Sequence, residues 1–246
     1  MRASALRVIV ALAPVALSAA YLFYAKRALA RKTISQVRVS PPEGLLPLLG
    51  GNDKATNEDV IPRDVLNNAE AFVVARERVV SLPIPIAELQ EGFIAGNGGV
   101  LEGALVKAYL GATMRAFAWT PQALVMARLG AKLEGYSMTF EARYLSECAF
   151  GVGDRVCGVY VVKARREGRA VLGLSPPPGW TGPVVTGVLD VGFDLVDGDK
   201  VQFVNETTLW RGVGDKPTLL EGSVGRWLHT LMASWLVVQG IKAVTV

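Results

Sequence analysis

The hydrophobic pattern of the chain changes period near Tyr136. Before this point Gly99–Phe117, which lacks internal proline, predicts a helix, and Gln122–Leu129 after Pro121 predicts another. A strand at Glu70–Val80 precedes them, and a helix at Leu219–Gln239 lies near the end of the chain. Apolar and polar residues alternate in five further runs that predict strands: Tyr136–Leu145, Val156–Ala164, Arg169–Leu174, Thr186–Val196 and Lys200–Arg211. The pattern predicts an α+β domain.

The last predicted hairpin takes its register from the faces of its two strands. A three-residue loop at Asp197–Asp199 sets Val196 opposite Lys200 and Phe193 opposite Phe203. The apolar residues of both strands then share one face, whereas a two-residue loop would mix apolar and polar residues on each face. We therefore predict the three-residue loop.

The polar face of this hairpin carries two facing carboxylates, Asp190 and Glu206. Like charges on adjacent strand positions raise one pKa, so the pair is a candidate general acid and base. A half-exposed antiparallel sheet would present the same residues to water without any chemical role, and this is the commoner situation. The sequence leaves both interpretations open.

The apolar face carries an amide, Asn205, which must find a partner or line a polar pocket if it is buried. Aromatic residues alternate along the predicted strand at 136–145, and Tyr160 lies on the next one. These residues predict either an ordinary aromatic core with satisfied hydroxyls or a cavity for an extended, conjugated or lipid-like ligand. For the cavity, the candidate catalytic residues are Tyr144, Tyr160 and Asn205, and the candidate binding residues are Tyr136, Phe140, Phe193 and Phe203.

The last predicted helix contains the only histidine of the chain, His229. A helical projection centred on Leu231 places this histidine opposite the apolar stripe. It is therefore interpreted as solvated or as part of a contact surface, and not as a base. One histidine and two cysteines, Cys148 and Cys157, provide neither a disulfide scaffold nor a metal site, and we expect free thiols.

An uncharged run of 18 residues, Val8–Ala25, is just long enough to cross a bilayer. We predict a single-pass membrane anchor with a basic flank at residues 1–39, a linker at 40–68 and the α+β body at 69–246. A cleaved secretory signal and a mitochondrial transit peptide are the alternatives. Basic residues directly after the run favour a cytosolic body: Lys26, Arg27, Arg31 and Lys32.

The charge of the chain is divided unevenly. Seven of its 26 basic residues and none of its 22 acidic residues fall within residues 1–42, so the rest carries 19 basic against 22 acidic groups. A body with a slight negative excess does not suit nucleic acid as a partner.

The order of the predicted elements resembles that of START-like helix-grip domains, in which a curved antiparallel sheet wraps a long C-terminal helix around an apolar cavity. Four short stretches carry a further likeness: Gly151–Arg155, Val171–Gly173, Asn205–Arg211 and Gly225–His229. Through these stretches residues 68–246 resemble small membrane-tethered proteins encoded beside fungal polyketide synthases, some of which assist α-pyrone closure of polyene chains.

This resemblance implies an accessory cyclase that holds an apolar polyketide chain while an enol oxygen attacks a carbonyl group. It implies no cofactor and no metal, and its partners would be a membrane and a polyketide synthase. A non-catalytic carrier of lipids or other hydrophobic ligands needs the same cavity and is the alternative.

Overall fold

The computed structural model describes residues 21–40, 60–68 and 70–246. The strands of this part are β1 (Thr33–Ser40), β2 (Phe72–Ser81), β3 (Ile84–Pro85), β4 (Arg155–Val156), β5 (Tyr160–Arg165), β6 (Arg169–Leu174), β7 (Thr186–Val196) and β8 (Lys200–Gly212). The helices are α1 (residues 21–29), α2 (Arg63–Asn67), α3 (Glu102–Ala118), α4 (Pro121–Leu129), α5 (Ala142–Glu147) and α6 (Ser223–Lys242), with single 3-10 turns at Ile86–Glu88, Glu91–Phe93 and Ser137–Phe140.

The strands form one curved antiparallel sheet in the order β1-β2-β8-β7-β6-β5-β4, and β3 pairs with β8. Helices α3 and α6 pack against each other and against the inner face of the sheet. They approach closely at Gly240, where a Cβ atom would lie 2.4 Å from the ring of Tyr109. The Tyr109 ring in turn packs on Phe203 of β8, with the ring centroids 4.5 Å apart. The fold is thus α+β and compatible with a helix-grip arrangement.

The predicted register of the last hairpin is confirmed. Phe193 lies opposite Phe203, Asp190 opposite Glu206, and Val196 opposite Lys200. The loop between the strands contains Asp197 and Gly198, both with positive φ. This register fixes which face of the sheet each functional side chain occupies.

The prediction of a strand at Tyr136–Leu145 is wrong. These residues form the 3-10 turn and α5, because local hydrogen bonds favour tight turns. The Thr139 hydroxyl donates to the Tyr136 carbonyl at 2.6 Å, and Arg143 pairs with Glu147 one helical turn later at 3.0 Å. The two predicted helices before this segment are confirmed. Thr120 caps the N-terminus of α4, because its hydroxyl accepts from Ala123 N–H.

The sheet begins before the predicted domain start at residue 69, because β1 pairs with β2. Thr33 lies opposite Ser81 at one end of this pairing, and Ser40 lies opposite Val74 at the other. Within the predicted linker, α2 packs Val65 against the outer face of the sheet beside Val74 and Trp210. Residues 8–20 of the predicted anchor lie outside the described residues. Among the helices that are described, none is long and apolar enough to cross a membrane.

Candidate functional site

A cleft of about 490 Å³ lies between α4, α6, the loop that follows β6, and the inner face of the sheet. Its walls are mainly aliphatic and aromatic, and Trp180 of the loop closes one side. Its rim includes exposed apolar side chains on α4 and the loop, among them Val125 and Val185. Such a cleft suits an apolar small molecule of moderate size.

The polar groups of the cleft are concentrated at its inner end, where the residues of three elements meet. Tyr160 of β5, Thr207 of β8 and His229 of α6 line the cleft there. The same three residues, together with Asn205, also line a small adjoining cavity of about 20 Å³. The structure therefore brings the predicted residues Tyr160 and Asn205 together, and it adds His229 to them.

His229 is held by a buried carboxylate, Glu77 of β2, whose exposed fraction is 1%. The Nδ1–H group of His229 donates to one carboxylate oxygen, and the hydroxyl of Thr230 donates to the other. These two bonds offset the free-energy cost of burying the carboxylate between β2 and α6. In the neutral ring the bond at Nδ1 leaves Nε2 as a proton acceptor. The cleft is therefore lined by a histidine whose ring orientation is fixed by a buried carboxylate.

The interpretation of His229 as a solvated residue opposite the core is wrong. The buried stripe of α6 includes Ala233 and Val237, and His229 lies one turn before Ala233. The projection failed because α6 is apolar on most sides, so that apolar residues such as Val224 and Leu228 are exposed.

Glu77 is the candidate site residue that was not predicted from the sequence, although the sequence contains a signal for it. Residues 73, 75, 77 and 79 of β2 share the inner face, and Glu77 is the only charged residue among them. A charged side chain on the buried face of a strand requires a partner. The single histidine of the chain was a candidate for that partner.

The alternative acid–base pair, Asp190 and Glu206, lies on the outer face of the sheet, opposite the cleft. Both residues are 1% exposed, so the expectation of a water-exposed face is wrong. Arginines from neighbouring strands cover them, with Arg76 at 2.6 Å from Glu206 and Arg169 at 3.2 Å from Asp190. Burial raises the pKa of Asp190 to about 6, and the charge of Arg169 opposes this shift.

Tyr144 does not join the group at the inner end of the cleft. It lies on α5 and its hydroxyl donates to the carbonyl of Arg155 at 2.8 Å. Burial, with smaller contributions from Cys148 and Asp154, raises the pKa of this phenol. We expected Tyr144 to lie near Tyr160 because residues 136–145 were predicted as a strand, whereas Tyr144 lies on a helix.

None of the four predicted binding residues, Tyr136, Phe140, Phe193 and Phe203, lines the cleft. Tyr136 stacks on Trp180 with a centroid distance of 5.8 Å and packs against Phe140 at 5.5 Å. Phe193 and Phe203 pack together in the core, 6.1 Å apart. Tyr136 therefore supports a residue that lines the cleft, and burial raises the pKa of its phenol to about 12.

Neither cysteine takes part in a disulfide, as predicted. Cys157 is buried and its thiol donates to the carbonyl of Met114 at 3.6 Å, whereas Cys148 is half-buried. In residues 21–40, 60–68 and 70–246, no cluster of three or more histidine, cysteine, aspartate or glutamate side chains is arranged to hold a metal ion.

No protein-family model, curated protein or solved structure matches this chain. The function is therefore argued from the chemistry of the site alone.

Proposed function

We propose that this protein binds an apolar, polyketide-like chain in its large cleft and promotes ring closure of that chain, with His229 as general base. The observation that carries the proposal is the pairing of His229 with the buried carboxylate of Glu77 at the inner end of the cleft. A base with a fixed tautomer inside an apolar cavity is an arrangement suited to proton abstraction from a bound ligand.

The proposed step is an internal acyl transfer. Nε2 of His229 takes the proton of an enol hydroxyl in the bound chain, and the enol oxygen attacks an activated carbonyl carbon such as a thioester. The bond from that carbon to sulfur breaks, and the imidazolium returns the proton to the leaving thiolate. The products are a lactone and a free thiol, so no cofactor or oxidant is needed.

The other polar residues would act on the reacting oxygen atoms. Burial raises the pKa of the Tyr160 phenol, so this group keeps its proton and serves as a hydrogen-bond donor. The Asn205 side chain is 3% exposed and has no hydrogen bond to another described residue. Donors placed where negative charge develops stabilise the transition state for attack on a carbonyl.

The walls of the cleft would contribute by holding the chain in a folded conformation. Apolar contact supplies most of the binding energy for such a ligand. A fixed conformation brings the two reacting ends of one chain together and lowers the entropic part of the barrier.

The test is product analysis of a polyketide synthase expressed with the wild-type protein, with the His229→Gln variant, or without either. Lys242→Gln is the matched control, because Lys242 is an exposed residue at the far end of the same helix. We expect cyclised product with the wild type and the control only. Equal yields of cyclised product in all four cultures would refute the proposal.

A carrier function is the second candidate, and the exposed apolar rim at Val125 and Val185 favours it because ligands can exchange there. A carrier needs the cleft but has no need of the histidine. If His229→Gln retains full effect on product yield while a variant with a blocked cleft loses it, the carrier is the correct function.

A further inference from the structure

A second cleft, of about 340 Å³, follows a different face of α6 and is bounded by α1 and the start of β1. Two cationic residues line it, Lys26 of α1 and Arg226 of α6, and no acidic residue of the described chain does so. Trp227 and Leu231 provide apolar contact beside them. This combination suits a ligand that joins an anionic group to an apolar body.

The side chain of Ser234 marks the buried end of this cleft. Ser234 is 5% exposed, it lines the cleft, and its hydroxyl has no hydrogen bond to any other described residue. This hydroxyl is accessible from the cleft, so a ligand bound there can accept a hydrogen bond from it.

The first turn of α6 supplies further donors. Ser223 begins the helix and lines the cleft, and the preceding Gly222 has no side chain to cap the first N–H groups. The N-terminus of a 20-residue helix carries partial positive charge and attracts anions. Arg226 is oriented beside it, because its guanidinium donates to the carbonyls of Leu220 at 3.0 Å and Glu221 at 3.2 Å.

We propose that this second cleft binds a phosphate group carried by an amphiphile. Lys26 and Arg226 neutralise the phosphate, the Ser234 hydroxyl donates to a ligand oxygen, and the apolar body rests on Trp227 and Leu231. The phosphate can come from a lipid headgroup or from a soluble phosphomonoester. The uncharged run Val8–Ala25 ends one residue before Lys26, so a headgroup would be near this cleft if that run spans a bilayer.

The test is isothermal titration calorimetry of the full chain in a neutral detergent, with dihexanoyl phosphatidic acid and with glycerol 3-phosphate as separate probes. We expect at least one probe to bind. Binding should weaken about fivefold or more in Lys26→Gln and in Ser234→Val, which removes the hydroxyl and fills space in the cleft. Lys132→Gln, a change at an exposed lysine that does not line the cleft, should bind as the wild type does.

Preferential binding of the phosphatidic acid would identify a lipid headgroup as the ligand. Equal binding of both probes would show that the phosphate is recognised without an apolar body and would remove Trp227 and Leu231 from the site. Each result supports a phosphate site. Absence of binding by both probes, or wild-type affinity in Lys26→Gln, would overturn the proposal. Lys26 is exposed, so this variant is informative even if Ser234→Val does not fold.

Discussion

Glu77 and His229 face each other where β2 packs against α6, and a hydrogen bond from the histidine Nδ1–H group to the carboxylate joins them. The residues are separated by 152 positions in the chain, so only the closure of the sheet around α6 brings them together. The carboxylate is buried, and the ring of His229 borders both the large cleft and the small cavity beside Asn205. The proposed chemistry depends on this pair.

The first prediction concerns the tautomer of His229. Because an ionised carboxylate only accepts hydrogen bonds, the neutral imidazole should carry its proton on Nδ1. Since the chain contains one histidine, nitrogen-15 NMR of histidine-labelled protein without a histidine tag reports this ring alone. Glu77→Leu, which removes the acceptor for the Nδ1–H group, should shift the signals towards the ordinary Nε2–H tautomer. Identical signals in the wild type and the variant would show that Glu77 does not set the tautomer.

A second prediction concerns the large cleft as a binding site. Met126 lines the cleft, whereas Leu124 on the same helix is 55% exposed and does not. Met126→Trp should fill part of the cleft and weaken the binding of an apolar fluorescent probe by about tenfold, the effect of losing roughly 1.4 kcal/mol. Leu124→Trp adds the same side chain outside the cleft and should leave probe affinity unchanged. Equal affinities of the two variants would place the probe elsewhere.

The third prediction tests whether Asn205 takes part in catalysis without being needed for folding or for ligand binding. Asn205→Leu should keep the fold, since an apolar side chain of similar size fits beside Val191 and Phe203. Probe affinity should also survive, while formation of cyclised product should fall by about tenfold or more, because one donor to the reacting oxygen is lost. An unchanged yield in a folded Asn205→Leu protein would remove this residue from the mechanism.

The fourth prediction concerns stability and pH on the outer face of the sheet. Burial raises the pKa of Asp190 from 3.8 to about 6, so the folded protein holds this proton over a range in which the unfolded chain has released it. The stabilisation from this group should be fully present below about pH 4 and should be lost as the pH rises through about 6. The difference should be on the order of 3 kcal/mol.

Urea unfolding at several pH values between about 4 and 7 measures this effect as the difference between the wild type and Asp190→Asn. The stability of the wild type relative to the variant should fall as the pH rises. Asp197→Asn is the control, because Asp197 lies in the exposed hairpin loop and its replacement should not change the slope. Parallel pH profiles for the wild type and Asp190→Asn would contradict the assignment.

The sequence predicted those parts of the fold in which each strand has one apolar and one polar face. In the hairpin of β7 and β8 a slip by one residue would move Asp190 to the inner face of the sheet, among phenylalanines, so the pattern determined the register. Residues 136–145 show a similar alternation, but hydrogen bonds such as that from Thr139 to the Tyr136 carbonyl produce turns there. Alternation alone does not distinguish these two outcomes.

The candidate site was predicted only in part, for a related reason. Asn205 and Tyr160 were found because each lies on a strand whose face could be deduced from its neighbours. His229 was misplaced because α6 has apolar residues around most of its circumference, and the contacts with β2 and β8 select the buried face. The burial of Asp190 and Glu206 depends on arginines from other strands, which a pattern within one hairpin does not reveal.

The most direct measurement is the rate at which purified full-length protein converts a linear polyketide thioester into its lactone, compared with the rate of the His229→Gln variant. Loss of a general base should lower this rate by about a hundredfold or more. The affinity for an apolar probe should stay within about twofold of the wild type, because the apolar residues of the cleft walls are unchanged. A rate for His229→Gln equal to that of the wild type would contradict the assignment of His229 as the base.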